Sequence, residues 1–406
     1  MNYLTWKNMA WTLCAFALCA CGGKKENSSA TEAGEVSGKT EYPVHIPFES
    51  ALNEKRPLKL SDIADSVRYI PLETTDASLI RRIKYGNIVK TSKYWLLPFL
   101  EDLFQFTSDG KFVRTIGAKG GGPGEFNWIT GIDVNEAENH IYLMSTDNKT
   151  NVYDLESGKF LYAMKSNNSE TQAFAMLDDK TAVSYIPNSN GSNPYQIRLT
   201  NAEGDTLQIF PRHDHFESPD GVPYSISSDN DRYLFHYDDL LCYKEYYNDT
   251  LYVVRPDKLD ARYVLDLGKH SMPPEHRFEA CGGDFKRFQN NAADYIRTQV
   301  FETKNYLFMP YIYWGDNEYN PHMMIYDKNK KECFEVEKGF IENDFGGMPF
   351  QPTTSVAPNV LVNFLNAERI FMYAEQEDAS VLEHPQLKNL KEEDNPVLMV
   401  VYLKEK

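Results

Sequence analysis

The chain has 406 residues, 13% of them aromatic, and a formal net charge of −17 at pH 7. This acidity argues against a nucleic-acid partner, because phosphate contacts need a basic face. The length and the many strand-forming residues, 26 Tyr and 23 Phe, favour one large all-β domain.

Residues 1–20 have the features of a signal peptide. Lys7 supplies positive charge, and an apolar run from Met9 to Ala20 follows that is too short to span a bilayer. The run ends in Leu18-Cys19-Ala20-Cys21, which is similar to the bacterial lipobox. This similarity implies cleavage before Cys21 and lipidation of its thiol. A secretory signal cut nearby is the alternative.

Residues 21–40 are polar and contain no aromatic side chain. Such a segment cannot bury enough apolar surface to offset the entropy of ordering, so we expect a flexible tether that reaches about 25 Å from its anchor. The sequence thus predicts a lipoprotein held in the outer membrane by its amino terminus. Its domain faces either the periplasm or the cell surface.

The most informative stretch is residues 103–133. Asp109-Gly110 lies between two alternating apolar runs and predicts a tight hairpin. A glycine-rich loop from Gly117 to Gly124 follows, and residues 129–134 predict another strand. This order is typical of one blade of a β-propeller leading into the next. A phosphate-binding loop is disfavoured, because the P-loop spacing and a following helix are both missing.

These residues resemble a known repeat. The stretches 109–117 and 122–126 are similar to the NHL-type propeller repeat, and the chain resembles the six-bladed β-propeller lipoproteins of gut-type Gram-negative bacteria. Residues 69–74, 248–253 and 395–402 fit the same family. The resemblance implies a six-bladed ring, but that family has no common activity that could be transferred to this chain.

The remaining runs complete a propeller over residues 41–406. Three blades are predicted at 86–116, 129–164 and 172–210, where turn glycines recur at positions 110, 158 and 204, a period expected for four-stranded blades. Two more are predicted at 233–266 and 296–336, each with four strands, the segment 296–302 being a single strand. The sixth uses 354–357, 360–364 and 397–403, and pairing with residues 67–72 closes the ring. Short helices are expected at 284–293 and 366–376.

Two polar motifs were considered as metal sites. The His-x-His spacing of Arg212-His213-Asp214-His215 places two imidazoles on one face of a strand, but a third ligand is not identifiable. The Asp229 to Asp231 stretch lacks the EF-hand spacing and is better explained as a polar turn. We therefore predict no metal and no cofactor, and we keep Arg212 and His213 as ligand-binding candidates.

Aromatic side chains near loops supply the other candidates. They are Trp128, Tyr313, Trp314 and Tyr319. Flat rings with polar neighbours suit sugar or peptide surfaces. The alternative is packing within the core, which is common in a chain this rich in aromatics. We expect Tyr311 to lie in the core and Trp314 at the surface.

Three cysteines remain after lipidation and removal of the signal: Cys242, Cys281 and Cys333. Their number is odd and their spacing fits no metal site, so we expect buried free thiols and at most one disulfide.

These observations favour a binding module over an enzyme, with a glycan, peptide or protein bound at one face of the ring. No catalytic residue is assigned, because a Gly-x-Ser-x-Gly elbow is missing and 59 acidic residues make any carboxylate pair uninformative. The alternative is a metal-dependent lyase or lactonase with a divalent ion such as calcium in the central channel. It would require at least three converging ligands. A platform for protein contacts is the third possibility.

Overall fold

The computed structural model describes residues 40–80, 88–147, 149–165, 171–188, 191–216, 233–277, 285–316 and 320–405. Within these ranges the strands form six blades in a propeller ring, in a compact unit that comprises Tyr42–Lys406. The predicted all-β, six-bladed fold is therefore confirmed. Residues 1–39, which include the predicted signal peptide, Cys21 and nearly all of the predicted tether, lie outside the described residues.

The elements follow the chain from an amino-terminal segment into the first three blades. The amino-terminal segment contains β1 Val44–Ile46, α1 Phe48–Ala51, β2 Lys55–Arg56, α2 Leu60–Ile63 and β3 Ala64–Pro71. The first blade consists of β4 Val89–Lys90, β5 Tyr94–Phe99, β6 Asp102–Thr107 and β7 Phe112–Ile116. It is followed by the paired short strands β8 Ala118–Lys119 and β9 Glu125–Phe126. The second blade consists of β10 Ile129–Asn135, β11 His140–Ser145, β12 Lys149–Asp154 and β13 Phe160–Lys165. The third consists of β14 Ala173–Met176, β15 Ala182–Tyr185, β16 Tyr195–Thr200 and β17 Thr206–Pro211.

The last three blades contain longer insertions. The fourth consists of β18 Leu234–Tyr237, β19 Leu240–Tyr243, β20 Thr250–Val254 and β21 Leu259–Leu265. A 3-10 helix, Gly268–His270, and α3 Phe285–Asn291 lead to the fifth, which consists of β22 Ile296–Thr298, β23 Phe301–Glu302, β24 Tyr306–Tyr313, β25 His322–Asp327 and β26 Glu332–Val336. The sixth contains β27 Thr354–Ala357, β28 Val360–Leu365 and β29 Val397–Leu403, with α4 Ala367–Gln376 and a 3-10 helix, Ala379–Glu383, between β28 and β29. Both predicted helices are thus present, and within the described ranges no helix has the length and apolar composition needed to cross a membrane.

The ring closes as predicted. The strand β3 pairs antiparallel with β29, Tyr69 opposite Met399, and becomes the outermost strand of the sixth blade. The hydroxyl of Tyr69 also accepts a hydrogen bond of 2.8 Å from the backbone N–H of Met348 in the connection between the fifth and sixth blades. An amino-terminal strand and the last strand of the chain therefore share one sheet, and β29 lies inside that sheet instead of at its edge.

The amino-terminal segment also covers two outer edges, which the sequence analysis did not predict. The strand β1 pairs in parallel with β21, the outermost strand of the fourth blade, and β2 pairs in parallel with β26 of the fifth. Each pairing is only two or three residues long. Runs as short as Val44–Ile46 are too short to show the alternating pattern that predicts a strand. Their extended conformation is fixed instead by pairing with the strands of the ring.

One predicted strand is divided. The segment 296–302 forms β22 and β23, both paired with β24, instead of a single strand. The break falls at Gln299 and Val300, opposite Pro310 of β24. Proline has no N–H to donate to the ladder, so the pairing is interrupted there. The N–H of Gln299 still donates to the carbonyl of Pro310 at 3.2 Å.

Apolar clusters between neighbouring blades hold the ring together. Leu103 of the first blade packs with Leu143 of the second, and Trp95 of the first packs with Leu398 of the sixth. These side chains are at most 1% exposed. Each such side chain contributes about 1.5–3 kcal/mol through its burial. The ring is thus stabilised by blade-to-blade packing.

A buried ion cluster joins the fourth and fifth blades. The carboxylate of Glu302, which is 1% exposed, accepts two hydrogen bonds of 2.7 Å from the guanidinium of Arg262. It also accepts from the ammonium of Lys328 at 2.6 Å and from the hydroxyl of Tyr263 at 2.9 Å. Two cations around one buried carboxylate make this carboxylate indispensable to the interface.

Candidate functional site

The two faces of the ring differ in the length of their connections. Because the strands of a blade are antiparallel, successive connections alternate between the faces. One face, here called the loop face, has the links from the last strand of one blade to the first strand of the next and the turns between second and third strands. These links include residues 117–128 and, from a longer insertion, the described residues 266–277 and 285–295. Concave ligand sites are built from such long loops, so the loop face is the candidate binding surface.

Among the predicted aromatic site residues that the structure describes, Trp128 is the one that lies exposed on this face. It directly precedes β10, and its side chain is among the exposed large hydrophobic residues, at 54%. Its indole N–H donates to a carboxylate oxygen of Glu101 at 3.1 Å, and the same oxygen accepts from the ammonium of Lys119 at 2.5 Å. The hydrogen bonds from Lys119 and Trp128 lower the pKa of Glu101. The indole of Trp128 is therefore held in place at its N–H edge, while much of its surface faces solvent.

The backbone around Trp128 is fixed from both sides. The N–H of Ile129 donates to the carbonyl of Leu100 in the turn of the first blade, at 2.8 Å. The carbonyl of Trp128 accepts from the N–H of Thr146 in the turn of the second blade, at 3.0 Å. The preceding glycine-rich loop is closed by a hydrogen bond of 2.8 Å from the N–H of Gly122 to the Glu125 carboxylate. Trp128 thus lies on a rigid part of the loop face, between two blades.

Arg212 is buried, in contrast to the exposed position expected of a ligand-binding side chain. Both oxygens of Glu245 accept from its Nη1 at 3.0 Å, and the carbonyl of Ile186 accepts from its Nη2 at 2.6 Å. Tyr185 donates to the same Glu245 at 2.6 Å, and burial together with this carboxylate raises the pKa of Tyr185 well above its ordinary value. Arg212 therefore joins the third and fourth blades as part of a buried network.

The rest of the His-x-His motif is a loop. His213 and His215 are both exposed. Asp214 between them pairs with Arg212 and with Arg277 of the next inter-blade connection. The predicted Asp229 to Asp231 turn lies outside the described residues, as does the candidate Tyr319. In the part of the chain that is described, no group of three or more His, Cys, Asp or Glu side chains is placed to hold a metal ion.

The expectation that Trp314 lies at the surface is wrong. Its side chain is only 5% exposed and packs with Phe288 and Ala292 of the insertion before the fifth blade. It also stacks on Tyr247, with ring centroids 6.0 Å apart and planes inclined by 9°. The Gly-Asp-Asn sequence after Trp314 suggested an exposed ring, but α3, which comes from a distant insertion, covers it. Its neighbour Tyr313 is half-buried, and Tyr311 is in the core as expected.

Among the described residues, a polar pair that the sequence analysis missed lies in the ring interior. Asp133 of the second blade and His236 of the fourth lie on first strands, which are nearest the axis, and the His236 Nε2 is 2.8 Å from an Asp133 oxygen. The same oxygen accepts from the N–H of Met176 in the third blade at 2.7 Å. Asp133 and His236 are 103 residues apart, and only the ring brings them together.

The cysteine predictions are partly tested. Cys242 and Cys333 are both buried, and burial raises the pKa of the Cys333 thiol to about 12. Cys281 lies outside the described residues.

The family of the chain follows from its sequence match. The family described as "Domain of unknown function (DUF4934)" matches residues 43–402, which is nearly the whole compact unit. The chain belongs to this family. No match was found among curated proteins.

A solved structure shares the fold of this chain. A crystal structure described as a "Putative exported protein" from Bacteroides fragilis is similar over 89% of this chain and 100% of its own, with 18% identity and a TM-score of 0.67. A member of the DUF4221 family from Bacteroides vulgatus is similar over 84% of this chain and 97% of its own, with 12% identity and a TM-score of 0.48. At 18% identity the first likeness shows the fold alone. The six-bladed propeller that the resemblance implied is thus present, whereas the NHL-like repeat and the lipoprotein anchor stay predictions.

Proposed function

We propose that this protein is a lipid-anchored propeller of the cell envelope that binds a ligand on its loop face, with Trp128 as the principal contact. The observation that carries the proposal is the exposed indole of Trp128, held at its N–H by Glu101. Large aromatic side chains are usually buried, and one that is both exposed and fixed is the kind of residue that dominates binding energy.

The envelope location has separate support. The lipobox-like sequence before Cys21 and the polar segment after it favour an anchor followed by a tether. The similar Bacteroides fragilis protein is described as exported, which agrees with this placement.

Binding can be tested before the ligand is known. The protein produced from residue 41 contains the whole compact unit and can be applied to an array of glycans and peptides. We expect capture by the wild type and its loss in Trp128→Ala. Tyr162→Ala is the matched control, because Tyr162 is 44% exposed but lies on β13 at the outer rim of the second blade. Equal capture by the Trp128→Ala variant would refute the proposed site.

A further inference from the structure

The Trp128 site also limits the chemistry of its ligand. We infer that it binds a neutral saccharide, with one pyranose ring stacked on the indole and its hydroxyls bonded to Glu101 and Lys119. This inference rests on the proposed function and adds the class of ligand.

The first argument is the part of the indole that is available. The N–H edge of Trp128 is already bonded to Glu101, so the carbon face is what remains for a ligand. The face of an aromatic ring is its negative region and attracts groups with partial positive charge at their hydrogens. The axial C–H groups of a pyranose form such a surface, and its flat shape matches the ring.

The second argument is the pair of charged groups at the edge of the ring. Glu101 accepts hydrogen bonds and Lys119 donates them, and their side chains are 40% and 57% exposed. A hydroxyl both donates and accepts, so neighbouring hydroxyls of a sugar can bond to the carboxylate and the ammonium together. Because the two charges compensate each other locally, a neutral ligand can bind without separating them. A strongly anionic polymer would in addition meet a protein of net charge −17.

The third argument is the size of the apolar patch. In the described part of this region, the large hydrophobic side chains that are exposed are Trp128 and its neighbour Leu100, at 54% and 37%. A stable protein–protein interface buries roughly 800 Å² per partner around an apolar core, which two side chains cannot supply. One or two sugar rings match this patch better than a folded partner does.

The rigidity of the site favours such a small ligand. Hydrogen bonds from Ile129 to the first blade and from Thr146 of the second blade to Trp128 fix the backbone on both sides. A preorganised site loses little conformational entropy on binding, so a few contacts can give measurable affinity.

The array of glycans and peptides supplies the first test. We expect neutral saccharides among the captured probes, lost in Trp128→Ala and kept in Tyr162→Ala. Capture of peptides alone, dependent on Trp128, would overturn the saccharide inference and leave the proposed function standing. Capture of saccharides that persists in Trp128→Ala would overturn both, and so would the capture of no probe.

Calorimetry with the captured oligosaccharide then tests the stacking geometry. A flat ring is required, so Trp128→Phe should weaken binding by less than about 10-fold, whereas Trp128→Leu should weaken it by at least about 30-fold. Equal losses in the two variants would indicate a general apolar contact and overturn the stacked sugar. Glu101→Gln keeps a hydrogen-bond acceptor and should bind more tightly than Glu101→Ala.

Fluorescence gives an independent measure. The protein from residue 41 contains Trp95, Trp128 and Trp314, whose side chains are 1%, 54% and 5% exposed. Quenching by acrylamide therefore reports mainly on Trp128. The bound oligosaccharide should reduce this quenching in a saturable way, with the dissociation constant found by calorimetry. Saturation without protection of the quenchable tryptophan would place the sugar elsewhere and overturn the inference.

Discussion

Replacing Trp314 by Ala should destabilise the propeller strongly. The side chain is 5% exposed and packs on Phe288, Ala292 and Tyr247. Removing a large buried aromatic side chain costs about 3–5 kcal/mol, since the surrounding structure closes the cavity only in part. The entropy of unfolding is roughly 0.8 kcal/mol per kelvin for a unit of this length, so the midpoint of thermal unfolding should fall by about 4–7 °C.

The matched control is Trp128→Ala. It removes the same atoms from a side chain that is 54% exposed, so its midpoint should shift by less than about 1 °C. Differential scanning calorimetry of the two variants and the wild type, at one scan rate, gives the comparison. If Trp314→Ala unfolds at the wild-type temperature, then α3 does not cover this ring in solution, and Trp314 returns as a candidate contact residue.

Three further changes test the closure, the anchor and the buried ion cluster. A chain that ends at Asn395 lacks β29 and should aggregate or show no cooperative transition; a monomer with unchanged unfolding would contradict the ring closure. The Cys21→Ala variant should no longer be found in the membrane fraction. If it associates with membranes as the wild type does, without a retained signal peptide, the predicted lipidation of Cys21 is refuted. Glu302→Ala should cost about 3–5 kcal/mol in denaturant unfolding, because two buried cations lose their carboxylate. The exposed Glu332→Ala is its control, and similar losses in both variants would argue against the cluster.

The fold was predictable because its signals are local and repeat. Turn glycines at positions 110, 158 and 204 have φ of +88°, +68° and +85°, which is the conformation that their hairpins require. At Gly110 a Cβ atom would also lie only 2.4 Å from the carbonyl oxygen of Pro71, so glycine is needed there for space as well. Neither β1 nor β2 was predicted, since their order comes from pairing with the fourth and fifth blades and not from their own sequence.

The candidate site was predictable only in part. Trp128, a ligand-binding candidate for which core packing was the alternative, is exposed, whereas the surface position expected for Trp314 was wrong. The neighbours of a residue in the sequence predict its burial only when no segment from elsewhere in the chain packs over it. At Trp314, α3 packs over the side chain. Arg212 was kept as a ligand-binding candidate, but it is buried against Glu245, which is one of 59 acidic residues and carries no distinguishing signal in the sequence. Asp133 and His236 are 103 residues apart in the sequence and are brought together only by the folded propeller, so the sequence alone does not predict their contact.

Lys244 provides a test of this buried chemistry through pH. It is 4% exposed, and its ammonium nitrogen donates to the backbone carbonyls of Glu245, at 2.6 Å, and Asn248, at 2.5 Å. Burial lowers the pKa of Lys244 from its ordinary value of 10.5 to about 8, although Asp249 acts in the opposite direction. A neutral amine still has two hydrogens, so it can keep both of these bonds after losing its proton.

Above pH 8 the folded Lys244 has released its proton, whereas the unfolded lysine keeps it until about pH 10.5. The unfolded state then binds more protons, so the free energy of unfolding rises with pH, by about 2 kcal/mol between pH 8 and pH 9.5. Lys244→Met removes this rise, so the difference in its size between wild type and variant reports on Lys244. Lys180→Met, with a side chain that is 83% exposed, is the control and should follow the wild type. Urea unfolding at both pH values supplies the measurement, and parallel curves for wild type and Lys244→Met would mean that Lys244 stays charged in the folded ring.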